Sequence, residues 1–282
     1  MHRRPRCAIA LLALAILSGA CAKSPVGPLD SPWRVMPGHV ETLNIPAFRG
    51  GRACWIYLPP GYAETDARYP VLYINDGGFV FDQQGGLHFN RIAEDLIRRG
   101  EMEPLIMVAI AAGYGPVRTW EYTPWAGNFN GYPTGGGDAY LRAVRDTLKP
   151  EVDRRFRTLP DRWHTAMAGY SLGGLISAYA FFAFDTTFGR AGAFSPTYGL
   201  GMYSWIYGER HPPWRVLFYQ DTGTVADNDI QFMESALTSM GFELGQDLMS
   251  LTETGATHTG AAWEHRMPGM LQFVFPRDDG GH

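Results

Sequence analysis

Residues Gly169 to Gly173 read G-Y-S-L-G, a serine between glycines at the spacing that forces a side chain out of a sharp strand-to-helix turn. With 34 glycines in 282 residues, chance supplies about 0.15 copies of this pattern, so the pentapeptide gains weight only from its surroundings. A serine hydroxyl attacks a carbonyl only when a base removes its proton, and the chemistry of such a pair is acyl transfer. In the hydrolase order of serine, acid and histidine, the base lies C-terminal to Ser171, which leaves His211, His258, His265 and His282. His258, in "TGATHTG" just after an apolar run, stands where a base must be; His211 precedes a strand, His265 falls inside a helix, and His282 is terminal. The acid that would orient the imidazole comes from "DTGTVADND", with Asp227 as first choice, Asp229 second and Asp221 third. Asp229 is also placed to cap a helix and Asp221 to hold a turn. The Leu172 amide, at the start of the helix after the serine, faces a developing oxyanion. No metal and no organic cofactor is required.

The elements that must position these groups follow from periodicity. "ACWIYLP", "YPVLYIND" and "PLIMVAIA" are short apolar runs rich in branched and aromatic residues, which suit buried strands. Between the last two, "HFNRIAEDLIRRG" carries Ile92, Leu96 and Arg99 on one helical face, with Gly100 as a cap. The alternation continues with a helix in "DAYLRAVRDTLKPEVDRRF", a strand in "WHTAMAG", a helix in "LGGLISAYAFFAF", and strands in "RAGAFSP" and "WRVLFYQ". A helix in "DIQFMESALTSMG", a strand in "DLMSLTE" and a last helix near "AAWEHRMPGMLQFVF" complete it. Such an order predicts an α/β fold, a mainly parallel central sheet with helices on both faces and its chemistry at the carboxyl ends of the strands. Residues 112–136 carry aromatics and glycines without a clear period and are expected to form a long loop over the site. Within it, Arg118, Trp120, Tyr122, Trp125 and Phe129 either bind an anionic or aromatic substrate or fill a core beneath the loop while Arg118 ties it down.

Taken together, "YPVLYINDGGFVFD", "RTWEYTP", "LKPEVDRRFRT", "AGYSLGGL", "FSPTY", "YQDTGT" and "THTGAAWEHRMPGMLQFVF" resemble the esterase D and enterochelin esterase-like branch of the α/β-hydrolases. That branch also holds feruloyl esterases, acetylxylan esterases and mycolyltransferases, and the resemblance runs from about Val40 to near Pro276. It implies an α/β-hydrolase fold, Ser171 as nucleophile, His258 as base, and a second oxyanion amide at Gly78 after "NDG". Relatives place an acid soon after a "GT" pair, where here Val225 and Ala226 precede Asp227, and some siderophore esterases manage with serine and histidine alone. Tyr170 stands where many relatives have histidine, which marks it as a residue that sets substrate preference. The activity so implied is hydrolysis of a carboxylic ester, of feruloyl, acetyl-sugar or siderophore type, with a small-molecule or glycan partner. An acyltransferase that passes the acyl group to a sugar or lipid hydroxyl, and a non-catalytic binding lipoprotein on the same scaffold, are the rival readings.

Charged residues at 18% and aromatics at 13% describe a folded chain, and a net charge of −4 gives no basic footprint for nucleic acid. Residues 1–20 differ in kind: "MHRRPR" is basic and "CAIALLALAIL" apolar, a secretion signal too short to span a bilayer. Its end, "LSGAC", resembles the lipobox of bacterial lipoproteins and makes Cys21 a lipidation site, the alternative being cleavage after Ala20 or Ala22. Residues 21–38, rich in proline and glycine, read as a tether, and 39–282 as a single domain. The expected destination is the periplasm or cell envelope of a bacterium, otherwise the medium, with membrane contact only through the lipid.

Overall fold

The computed structural model describes residues 40–43, 48, 51–81, 86–208, 216–225 and 230–277. The signal segment with Cys21, the tether, and the acid candidates Asp227 and Asp229 lie outside the described residues.

The apolar runs become strands because a chain buried on both faces has no polar side to alternate. β1 (Val40–Leu43), β2 (Arg52–Tyr57), β3 (Val71–Ile74) and β4 (Ile106–Ile110) form the first half of the sheet, and every residue of β3 and β4 is buried. β5 (Gly127–Phe129) and β6 (Tyr132–Thr134) pair with each other as a hairpin apart from it. β7 (Thr165–Tyr170), β8 (Arg190–Phe194), β9 (Leu217–Gly223) and β10 (Leu248–Glu253) complete the sheet. Its strand order is β1-β2-β4-β3-β7-β8-β9-β10, with β2 antiparallel to both neighbours and every pairing from β4 to β10 parallel. The mainly parallel α/β sheet is thus as expected.

α1 (Phe89–Arg99) ends at Gly100, whose φ of 67° is the left-handed cap that stops a helix. Its buried stripe is Phe89, Ala93 and Leu96, while Arg99, expected on that face, lies in solvent between Asp95 and Glu101. α3 (Gly137–Ala143) and α4 (Lys149–Arg155) are joined by a π turn at Val144–Leu148 into the single helical run expected. α5 (Leu172–Ala183) is apolar all round and buried along nearly its whole length, the signature of a central helix. α6 (Met202–Ile206), α7 (Gln231–Ser239) and α8 (Gly260–Val274) follow.

The supposed long loop is largely ordered into elements. α2 (Pro116–Glu121) starts with proline in its first turn, where the missing N–H costs nothing. Asn130 and Gly131, at φ 50° and 86°, make the β5–β6 turn. Two apolar layers flank the sheet: one gathers α3 to α5 with Tyr73, Met167 and Phe218, the other α1 and α8 with Leu72, Ala168 and Tyr219. Alternate residues of β3, β7 and β9 serve opposite layers, so register alone decides which end-of-strand groups meet.

Candidate active site

Ser171 sits between β7 and α5 with φ 59° and ψ −122°, a conformation that costs an L-residue of order 1–3 kcal/mol. The turn survives because its surroundings over-determine it. The Ser171 N–H donates to the Phe194 carbonyl at 2.9 Å, and its carbonyl accepts from Leu175 and Thr197. Gly169 and Gly173 are obligatory for packing: a Cβ on Gly169 would sit 2.8 Å from the Gly173 backbone, and one on Gly173 would sit 3.1 Å from Asp76 Oδ2. Although Ser171 occupies the N-cap position of α5, its side chain makes no capping bond. Its Oγ is instead 3.4 Å from Thr197 Oγ1, at a half-exposed surface. Leu172 is the first helical residue, and its N–H belongs to the turn that has no intrahelical acceptor.

The turn after β3 approaches from the neighbouring strand. Gly77 packs so tightly on β4 that a Cβ would lie 2.3 Å from the Ala109 carbonyl carbon, whereas Gly78 is exposed with open space beside it. Asn75 ties this turn to α5, donating to the Gly173 carbonyl at 3.3 Å and Ser177 Oγ at 3.0 Å while accepting from the Tyr140 hydroxyl at 2.5 Å. Asp76, in the left-handed region at φ 58°, is gripped by Arg118 from α2: Nε at 2.6 Å to Oδ1 and Nη2 at 2.7 Å to Oδ2. The Asp76 N–H donates to the Tyr122 hydroxyl at 3.0 Å, and the Tyr170 hydroxyl donates to the Asp76 carbonyl at 3.4 Å. Burial lifts the Asp76 carboxyl above its ordinary range even though Arg118 pulls it down.

This corrects one expectation. Substrate contact, one of the two readings of Tyr122, does not fit: the residue is fully buried beneath the turn, its hydroxyl accepting from the Asp76 N–H. Arg118 ties the loop down, as in the other reading, spending its Nε–Nη2 edge on Asp76 and stacking over Tyr122 at 5.2 Å. Trp120 lies over Gly136, where a Cβ would meet its indole at 2.1 Å, and Trp125 packs against Tyr179 and Trp205. Phe129 is part-buried against the larger apolar layer.

His258 lies in the connection from β10 to α8, three strands away from β7, and the chain carries it back. Residues 254–257 fold over the end of β9: the Val225 N–H donates to the Ala256 carbonyl at 3.2 Å, and Gly255 N–H to Thr224 Oγ1 at 2.8 Å. Ring packing then spans the remaining gap. Trp263 of α8 stacks on Tyr170 at 4.0 Å and 14°, and His258 meets Trp263 edge to face at 5.3 Å and 87°. The ring of Phe79, beside Gly78, lies 5.3 Å from that of Tyr170, tilted by 50°. Tyr170, the residue before Ser171, thereby touches both the turn after β3 and the indole on which His258 packs. Burial, then the cations Arg266 and Arg118, hold the His258 imidazolium below the usual imidazole range.

Asp221 stands inside β9, fully buried. Its carboxylate is committed to Arg266 Nε at 3.0 Å, the Tyr219 hydroxyl at 2.9 Å and the Ser195 N–H at 3.2 Å. Burial pushes this carboxyl up to about 6 against the pull of Arg266. Arg266 also reaches Glu253 at 3.1 Å and Ser195 Oγ at 3.0 Å, pinning α8 to the ends of β8, β9 and β10. Residue types and spacing did not reveal this hub; an arginine in the last helix and an aspartate at a strand end were its only signals. His265 pairs with Glu253 at 2.8 Å on the exposed side of α8.

Comparison with known proteins agrees with this geometry. A family model described as "Putative esterase" matches residues 46–231. The uncharacterized protein YbbA of Bacillus subtilis is 28% identical over 154 residues, covering 53% of this chain and 58% of its own. An endo-1,4-beta-xylanase/feruloyl esterase of Xylanibacter ruminicola is 29% identical over 153 residues, 51% of this chain and 18% of its own. The chain thus spans little more than half of one curated relative and under a fifth of the other. Among solved structures, the enterobactin esterase of Shigella flexneri superposes with a TM-score of 0.65 at 17% identity, covering 81% of this chain and 56% of that one. The chain belongs to the Esterase family that this model describes, and its motifs resemble the esterase D and enterochelin esterase-like branch.

Proposed function

We propose that the protein hydrolyses a carboxylic ester through an acyl-enzyme on Ser171, with His258 as general base. The observation that carries this reading is the backbone of Ser171. A non-glycine residue at φ 59° and ψ −122°, leading a helix it does not cap, pays for a side chain presented to solvent-facing space. Ser171 Oγ attacks the ester carbonyl while His258 takes its proton; the imidazolium returns it to the departing alcohol, and water attacks the acyl carbon with His258 again as base. The amides of Leu172 and Gly78 receive the oxyanion. Asp227 is the proposed acid, with Asp229 second; Asp221 is already engaged by Arg266. A feruloyl, acetyl-sugar or siderophore-type ester is the proposed substrate, the first and last supported by the similarity to a feruloyl esterase and an enterobactin esterase, and Tyr170 and Arg118 border its site. Export with lipidation at Cys21 is part of the same reading, and mass spectrometry of the mature N-terminus tests it.

The deciding experiment is labelling by a fluorophosphonate, with the adduct located by peptide mass, alongside turnover of a panel of feruloyl, acetyl-sugar, siderophore and lipid esters. A Ser171 adduct and turnover lost in Ser171→Ala are expected. Absence of both turnover and adduct in the wild type overturns the reading.

A further inference from the structure

The start of α8 is built like a hydrophobic staple, in which the residue before the N-cap packs on the fourth helical residue and fixes the angle at which the chain joins the helix. Thr259 is the N-cap, its hydroxyl accepting from the Ala262 N–H at 3.5 Å. Counting from it, His258 holds the position before the cap and Trp263 the fourth helical position. The two rings meet edge to face, so the group before the cap is the imidazole itself. A staple normally joins two apolar side chains whose only task is structural. Here one partner is an exposed histidine, and the other, 8% exposed, is sandwiched onto Tyr170 at the end of the strand that carries Ser171.

We propose that Trp263 is a positioning residue that holds the His258 ring in register with Ser171, through the staple on one side and the Tyr170 stack on the other. This rests on the reading of His258 as the base. The imidazole is half of a helix-start motif, so its attitude is set by the same contact that fixes the first turn of α8. The other half is anchored to the strand bearing the nucleophile, so serine and base share one rigid support. Such preorganisation acts on the chemical step: a displacement of about 1 Å costs on the order of 100-fold in rate. The charged groups acting on the ring are Arg266 from α8 and Arg118 from α2, and a change at Trp263 removes neither charge.

The test compares Trp263→Phe, Trp263→Leu and Met267→Ala, the last a buried apolar residue of the same helix that serves as a stability control. Three readouts are used: kcat and KM on an aryl ester, the His258 imidazole titration followed by NMR, and Ser171 labelling by a fluorophosphonate. Trp263→Leu is expected to lower kcat about 10- to 100-fold with KM nearly unchanged. Its His258 titration is expected to move up toward the ordinary value of about 6.5 as the ring gains water. Trp263→Phe, which keeps an aromatic face, restores most of kcat and the wild-type titration, while Met267→Ala lowers Tm and leaves the titration in place. The proposal is overturned if Trp263→Leu keeps the wild-type titration and kcat, or if Met267→Ala shifts both equally. A wild type that neither turns over nor labels defeats the esterase reading, and the titration still decides whether Trp263 sets the environment of His258.

Discussion

The guanidinium of Arg118 closes on the carboxylate of Asp76 through two parallel bonds, 2.6 and 2.7 Å, and Asp76 is the residue directly before the Gly77–Gly78 turn. A bidentate pair with one buried member fixes orientation as well as distance. The loop that carries Arg118 therefore governs the amide proposed to meet the oxyanion.

Arg118→Met leaves a buried carboxylate without its partner and is expected to cost about 3 kcal/mol of stability, measured by urea unfolding. Asp76→Asn in the same chain should recover part of that loss. For an uncharged ester, kcat should fall more than KM rises; a change confined to KM would mean that Arg118 holds substrate instead of the turn.

Ser171→Gly should unfold at a higher temperature than Ser171→Ala, because glycine adopts φ 59° without steric cost while alanine keeps the strain. The expected difference is about 1 kcal/mol, and neither variant should turn over ester. Equal stabilities would show that the turn is relaxed.

The base works only when neutral, so the acidic limb of kcat/KM should reflect His258 and lie below the ordinary imidazole value. Since burial and two cations lower it, removing one of those charges by Arg118→Met should shift the limb upward, and added salt should do so weakly. A limb at or above 6.5 in the wild type would contradict this environment.

Asp221 titrates in the opposite sense to a surface carboxylate. Its folded value near 6 exceeds the unfolded one near 3.8, so the folded state holds its proton more tightly. Stability from this group is complete below about 3.8 and is lost as pH rises to about 6, a change of roughly 3 kcal/mol. Asp221→Asn should flatten that segment of the stability curve, whereas Arg266→Met should destabilise at neutral pH by stranding the carboxylate. Thermal melts at closely spaced pH values distinguish the two.

Cys54 is fully buried, with burial pushing its thiol up to about 12. It should resist iodoacetamide in the folded protein and react on unfolding, as read from the mass of its peptide.

The sheet was legible because β3, β4 and β7 are unbroken apolar runs, and their order with the helices admits few topologies. The placement of Ser171 directly after β7 and of His258 between β10 and α8 was legible because it follows from that order. Residues 112–136 were less so: α2 has only six residues, too few for a helical period, though Pro116 and the Asn130–Gly131 pair were local signals for what forms there. Partners far apart in sequence were not readable at all. Arg118 with Asp76, and Arg266 with Asp221, meet only because strands β3 and β9 end beside helices made from later or distant segments. Tyr122 looked available as an aromatic in a loop, and burial beneath Asp76 could not be deduced from its type.

The hub at Arg266 has a consequence for the order in which the molecule folds. Ser171 is synthesised 87 residues ahead of His258, and Asp221 is complete long before Arg266. Until α8 docks, the Asp221 carboxylate has no guanidinium to accompany it out of water, and Tyr170 has no indole to lie against. A chain folded only through β10 therefore has Ser171 in place without His258, and a sheet whose carboxyl end is still open to solvent. Docking of the last helix covers the sheet end and brings the proposed proton acceptor in one event, so on that reading a chain that has not finished folding holds an inert serine.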